Sequence, residues 1–178
     1  MMKKMVLILF VVGFSVSLSY GHPAEIWQTG QKTMYYTGDD GDLERGVAWP
    51  VIRFTDHGDG TVTDNLTGLM WSKNANPAGG TKTWQGALDY VKTLITGGYY
   101  DWRLPNRKEL FSLIDRSKFD PALPASHPFQ NVQSYGYWSS TTYAGYTDSA
   151  WVVGMWGGGV GDDGKSYGFY VWPVRSGQ

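Results

Sequence analysis

The sequence predicts an α+β domain of short antiparallel strands and two helices, and three observations carry that expectation. The last forty residues hold three aromatic and β-branched runs, Tyr137-Trp-Ser-Ser140, Ser149-Ala-Trp-Val-Val-Gly-Met155 and Tyr167-Gly-Phe-Tyr-Val-Trp-Pro-Val-Arg175. Turn-rich pieces such as Gly157-Gly-Gly-Val-Gly-Asp-Asp-Gly164 separate them, so they read as three consecutive antiparallel strands joined by short loops. Upstream, two stretches repeat apolar residues at helical spacing. Finally, nine Trp, twelve Tyr and seven Phe stand among 24 Gly and 8 Pro, the composition of irregular segments pinned by large rings.

The chain divides into three parts. Lys3 and Lys4 precede the apolar run of residues 5–12, and small Ser19 and Gly21 follow it, the pattern of a Sec-type signal peptide over residues 1–21. The apolar run is short and broken by serines, so no membrane span is expected after cleavage, and the product is expected in the periplasm or outside the cell. Residues 22–50 read as an extended arm with turns, and 51–178 as the folded domain.

Composition narrows the chemistry. With no cysteine, a lipid anchor, disulfides, thiolate metal sites and cysteine nucleophiles are excluded. Without Lys3 and Lys4 the chain keeps 13 basic against 16 acidic residues, a formal charge of −3, which argues against a nucleic-acid partner. Charged residues make up only 17 %, below the roughly 25 % usual for soluble domains, so some rings are expected on the surface.

In the arm, Gly38-Asp-Asp-Gly-Asp42 reads as a solvated acidic turn. Phe54, Thr61-Val-Thr63 and Leu69-Met-Trp71 read as short strands, with Asp56-His-Gly-Asp-Gly60 and Asp64-Asn-Leu-Thr-Gly68 as the hairpin turns between them. Asp56, Asp59 and Asp64 fail the helical calcium-loop pattern, because the position that needs a bidentate Glu is Thr67. A first helix over 83–95 follows from the stripe Trp84, Ala87, Leu88, Val91, Leu94 and Ile95, capped by Thr83 and stopped by Gly97 and Gly98. A second helix follows Asn106, which with Glu109 has capping-box spacing ahead of the apolar face Leu110, Phe111 and Ile114. Asp101 and Arg103, just before it, read as ion-pair or turn support. Asp120-Pro-Ala-Leu-Pro124 and His127-Pro128 read as a proline-rich surface loop.

The motifs Asp101-Trp-Arg-Leu-Pro-Asn106, Tyr137-Trp-Ser-Ser140, Tyr170-Val-Trp-Pro-Val-Arg175 and Gly68-Leu-Met-Trp71 together resemble the exported bacterial domain at the C-terminus of the collagen-like adhesin Lcl, over residues 53–175. That resemblance implies a C-type-lectin-like fold of the formylglycine-generating-enzyme branch, two helices packed around a small twisted antiparallel sheet. It also implies recognition at or beyond the cell surface. Related domains are receptor-binding proteins whose last strands and loops are diversified. The matching region, 139–175, leaves Tyr143, Tyr146, Trp151, Val153, Met155 and Trp156 as the candidate ligand-binding face. Three departures bear on chemistry. Only Leu104-Pro-Asn106 approaches a calcium–sugar motif, formylglycine generation needs cysteines, and His22, His57 and His127 lie far apart in sequence, so neither a metal nor a cofactor is expected.

The resulting expectation is a non-catalytic binding module for a surface glycan, peptide or protein, since Tyr, Trp, Ser and Gly are the residues recognition loops favour. Trp71, Trp84, Trp102, Trp138, Trp151 and Trp172 are all expected in the core as well, and for Trp151 the two expectations compete. Catalysis is the weaker alternative: Asp115, Asp120, Asp148, Asp162 and Asp163 belong to no recognisable nucleophile–base set, and Ser139-Ser140 lies outside a nucleophile elbow. A structural or assembly subunit of a surface structure is a further alternative, although no collagen repeat or coiled-coil heptad occurs in the sequence.

Overall fold

Period-2 alternation in the C-terminal half decides the architecture. A computed structural model describes residues 26–177, so the signal-peptide expectation lies outside the described residues. In it, β4 (Gly136–Thr142), β5 (Ser149–Gly154) and β6 (Val160–Gly164) form a three-stranded antiparallel sheet. Tyr137 pairs with Val153 and Trp138 with Val152, and adjacent pairs point to opposite faces. Tyr137 and Val153 enter one buried cluster with Trp71, Leu110, Phe129 and Trp172. Trp138 and Val152 enter a second with Ala87, Val91, Phe169 and Val171. Both faces of this small sheet are therefore covered.

The early strands form where expected: β1 (Phe54–Asp56), β2 (Thr61–Asp64) and β3 (Leu69–Ser72) make two successive hairpins. A second sheet of order β1-β2-β3-β7 is completed by β7 (Val174–Ser176), whose Val174 pairs with Trp71. The protein is thus α+β with two antiparallel sheets.

Here the expected three-stranded C-terminal run is corrected. Its third strand is not 167–175 but β6, drawn from the stretch read as a turn. Pro173 cannot donate to a ladder, Val171 is wholly buried in the second cluster and Trp172 in the first, between the two sheets, so this run serves as a core-filling crossover. The exposed outer position suits Asp162 and Asp163, because charge on an edge strand discourages pairing with other chains. At the β5–β6 turn Gly158 has φ +70°, and a Cβ there would stand 2.5 Å from Ile114 Cγ2, so only glycine lets this turn close on the chain beyond α3 (Arg107–Ser112).

Among the described residues three helices occur rather than two. The acidic turn of the arm is α1 (Asp40–Leu43), a single turn capped by the Asp39 carboxylate, which accepts from Asp42 N–H. The first expected helix is α2 (Trp84–Thr93), capped by Thr83 and burying Ala87 and Val91 against the sheet. It ends two residues early: Leu94 is extended (ψ 131°), and Ile95, assigned to the apolar stripe, is exposed. Trp84 Nε1 donates to Ser139 O and Trp138 Nε1 to Lys82 O, both at 2.8 Å, so each indole fastens α2 to β4 while keeping its donor satisfied.

α3 has the reciprocal cap its sequence predicts. Asn106 Oδ1 accepts from Glu109 N–H at 2.9 Å and Glu109 accepts from Asn106 N–H at 2.8 Å. Asp101 and Arg103 do form ion pairs, but not with each other. Arg175 donates to Asp101 at 2.7 Å, and Arg103 grips Glu109 with two bonds of 2.7 Å. Burial alone would raise the Glu109 carboxyl, but the Arg103 bonds and the Asn106 N–H outweigh it and hold it below the usual Glu range.

A carboxyl depressed on folding adds stability above its unfolded value, near 4.5, and loses it as pH falls through the lower folded value. Glu109→Gln is therefore expected to cost about 1 kcal/mol at pH 7, allowing for the exposed half of Arg103, and to cost less once the medium is more acidic than the folded carboxyl. Urea unfolding at pH 7 and pH 3 measures the difference.

The proline-rich segment is corrected too. Ala122 and Leu123 are buried in the first cluster, joined by Phe129, because Ala122 N–H and O bond Met155 O and Asp115 N–H and draw the loop inward. No helix among the described residues is long and apolar enough to cross a membrane.

Candidate functional site

The start of α3 is tied to β4 by two bonds. Ser140 N–H donates to Pro105 O at 2.7 Å, and Arg107 N–H donates to Thr141 Oγ1 at 3.0 Å. This places the Arg107 guanidinium over the Trp151 ring on β5, 4.4 Å from its centroid. Tyr143, just past β4, meets the same indole edge-on at 5.2 Å, and Tyr146 lies 6.0 Å from Tyr143. Ser139 Oγ donates to Trp151 O at 2.8 Å and steadies the strand beneath. Around these groups runs an open cleft of about 470 Å³ lined by Arg107, Lys108, Thr141, Thr142, Tyr143 and Trp151. It continues past Phe111 and Val160.

Electrostatically the cleft is one-sided. Neither Arg107 nor Lys108 is ion-paired among the described residues, and no carboxylate lines the cleft. A guanidinium over a partly exposed indole, a phenol and a second cation can together pack against a ring and donate to its oxygens.

The six expected binding residues separate into three groups. Tyr143, Tyr146 and Trp151 come together here; Trp151 is half-buried and Tyr146 is 72 % exposed. Trp156 is exposed but elsewhere, packed edge-on to Phe119 at 6.3 Å beside a groove formed with Tyr135 and β6. Val153 and Met155 are corrected: both are wholly buried and cannot touch a ligand. Val153 has the parity of Trp151 but lies further along β5, where α3 and the β1–β2–β3–β7 sheet cover that face; Met155, just beyond the strand, is held in the same cluster by its N–H bond to Tyr135 O. Of the six tryptophans expected in the core, Trp71, Trp102, Trp138 and Trp172 are buried, and Trp84 and Trp151 are partly exposed.

Arg107 and Lys108 were missed by sequence reasoning. A signal for them existed: two cations in the first turn of a helix sit at the unfavourable end of its dipole and outside its apolar stripe. The candidate acids do not converge. Asp115 accepts from Ser117, Asp120 bonds Ser134, and Asp162 and Asp163 lie on the edge strand. Among the described residues no three His, Asp or Glu side chains are grouped as metal ligands.

A family model described as the Lcl C-terminal domain matches residues 60–175, about two thirds of the chain. The chain belongs to that family. No curated protein matches it. Within this Lcl C-terminal domain, every strand of the three-stranded sheet and both cations of the cleft fall inside the matched residues, whereas the arm and β1 precede them.

Proposed function

We propose that this Lcl C-terminal domain is an exported, non-catalytic binding module of C-type-lectin-like fold. It holds a surface glycan, peptide or protein in the cleft between α3 and the loop after β4. The observation that carries this reading is the Trp151 indole, flanked by Arg107 at 4.4 Å and Tyr143 at 5.2 Å on an open surface. A partly exposed aromatic ring with a cation fixed over it gives large contact area at small entropic cost, the usual make-up of a binding hot spot. The two sheets with α2 and α3 against them are compatible with the lectin-like arrangement, and the terminal loops supply the ligand face. The start of the chain, with its charged and then apolar run, supports export.

Immobilised glycan and surface-protein arrays probed with the purified protein test the reading. A ligand found there is expected to lose about 30-fold or more in affinity with Trp151→Ala and about tenfold with Arg107→Ala, while Trp156→Ala has no effect. Because Trp151 is half-buried, thermal unfolding of each variant accompanies the titration. Blank arrays with folded protein, or binding lost with Trp156→Ala and retained with Arg107→Ala, would overturn it.

A further inference from the structure

α3 separates two depressions that share Lys108 and Phe111 on the helix between them, and the arm residues of the second have no part in the reading above. Beyond those two residues the arm folds back over the helix and bounds a cavity of about 330 Å³ between Trp27 and Trp49 of the arm, Leu66 of the β2–β3 turn and Phe111 of α3. Its arm wall is fixed. Gln28 N–H donates to Val47 O at 3.0 Å, Val47 N–H to Ile26 O at 2.9 Å, and Trp49 Nε1 to Gln28 O at 2.8 Å. Arg116 N–H joins the arm to the segment after α3 through Thr29 O at 2.9 Å. The far face of Trp49 rests on the Arg53 guanidinium at 4.6 Å, and that group is itself anchored to buried Asp64. A cavity with walls held this way is formed before a ligand arrives, which keeps the ordering cost of binding low.

The charge of the lining is what selects an occupant. Among the described residues Lys108 and Arg116 are the only charged ones that line it, no carboxylate does, and neither cation has an ion-pair partner. Arg116 lies over the Phe111 ring at 5.0 Å, so its guanidinium sits at the boundary between the apolar volume and solvent. We propose that this cavity binds a small amphiphile with an apolar body and a single anionic head, such as a medium-chain fatty acid, its carboxylate held by Arg116 and Lys108 and its chain against Trp27, Trp49, Leu66 and Phe111. The volume is at the lower end of the roughly 300–1,000 Å³ of small-molecule clefts, which suits one short chain. A neutral head leaves both cations without a charged partner, and a cationic head is repelled. The arm wall precedes the residues the family model matches, whereas Leu66, Lys108, Phe111 and Arg116 lie within them.

Titration of the purified protein with decanoate, followed by tryptophan fluorescence, tests the proposal, with decanol and decyltrimethylammonium as comparisons. Decanoate is expected to give a saturable change below its micelle concentration, decanol to bind about tenfold more weakly, and the ammonium compound not to bind. Arg116→Gln is expected to weaken decanoate about tenfold and leave decanol unchanged, and Trp27→Ala to remove much of the optical signal. Arg116 is exposed on the surface, so this variant is expected to fold, and its unfolding curve verifies that. No saturable change with decanoate, equal affinity for acid and alcohol, or indifference to Arg116→Gln would each overturn the proposal. Neither Arg116 nor Trp27 lines the Trp151 cleft, so failure here leaves the proposed function standing, and the reverse also holds.

Discussion

Asp64→Ala is expected to destabilise the fold by about 3–5 kcal/mol, enough to lower the midpoint of thermal unfolding by roughly 6–20 °C in a chain of this size. Asp64 is wholly buried and makes four bonds. Its carboxylate accepts from Arg53 Nε at 2.7 Å and Nη2 at 3.0 Å, from Leu66 N–H at 2.9 Å and from Thr67 Oγ1 at 2.9 Å. Alanine removes all four and leaves a guanidinium buried without a counter-charge. That guanidinium is already short of partners: Nη1 has none among the described residues, Nη2 also serves Ser112 O, and Trp49 and Phe54 cover its faces. Arg53→Met is expected to cost less, because Asp64 keeps its Leu66 and Thr67 donors. The double variant is expected to recover part of the loss, since the coupling between two touching charges is not additive. Urea denaturation of the two single variants and the double variant measures the cycle.

Trp172→Ala is expected to cost a similar 3–5 kcal/mol. Trp172 sits where the two sheets meet, edge-on to Phe129 at 4.8 Å and to Trp71 at 5.9 Å, and tilted against Tyr137 at 5.5 Å. Removing it opens a cavity among three rings that cannot collapse inward, and leaves Ser72 O without the Nε1 donor now at 2.9 Å. Trp172→Phe retains most of the ring and loses mainly the hydrogen bond, so about 1–2 kcal/mol is expected. Tyr146→Ala, at an exposed ring, is expected within about 0.5 kcal/mol of the unchanged protein. The same denaturation series ranks the three.

Local signals in the sequence were the most readable. The hairpins around Asp56–Gly60 and Asp64–Gly68 form because Gly and Asp stand where the turns need them, and the Asn106–Glu109 cap forms because its three-residue spacing is sufficient information. Assignments that depended on long-range pairing went wrong. Tyr167 to Arg175 looks like the best strand in the chain, yet Phe169 and Trp172 are needed in the two buried clusters, and a poor strand former, Val160-Gly-Asp-Asp-Gly164, takes the place beside β5 because an edge needs no apolar face.

For the site, strand parity was legible but coverage was not. Trp151 and Val153 point the same way, and only the position of α3 over the sheet decides that the first is half-open and the second sealed. Arg107 could not be placed against Trp151 from spacing alone, since 43 intervening residues separate them and the bonds that join them run through Pro105 and Thr141.

The indole N–H resonances of the nine tryptophans offer the most direct measurement of where a ligand sits. With the ligand recovered from the arrays added to isotope-labelled protein, the Trp151 indole signal is predicted to shift most, with the buried Trp71, Trp138 and Trp172 unmoved. A titration in which Trp151 stays fixed while Trp156 or the arm indoles Trp27 and Trp49 shift would contradict the assignment of the binding face to the cleft between α3 and β5.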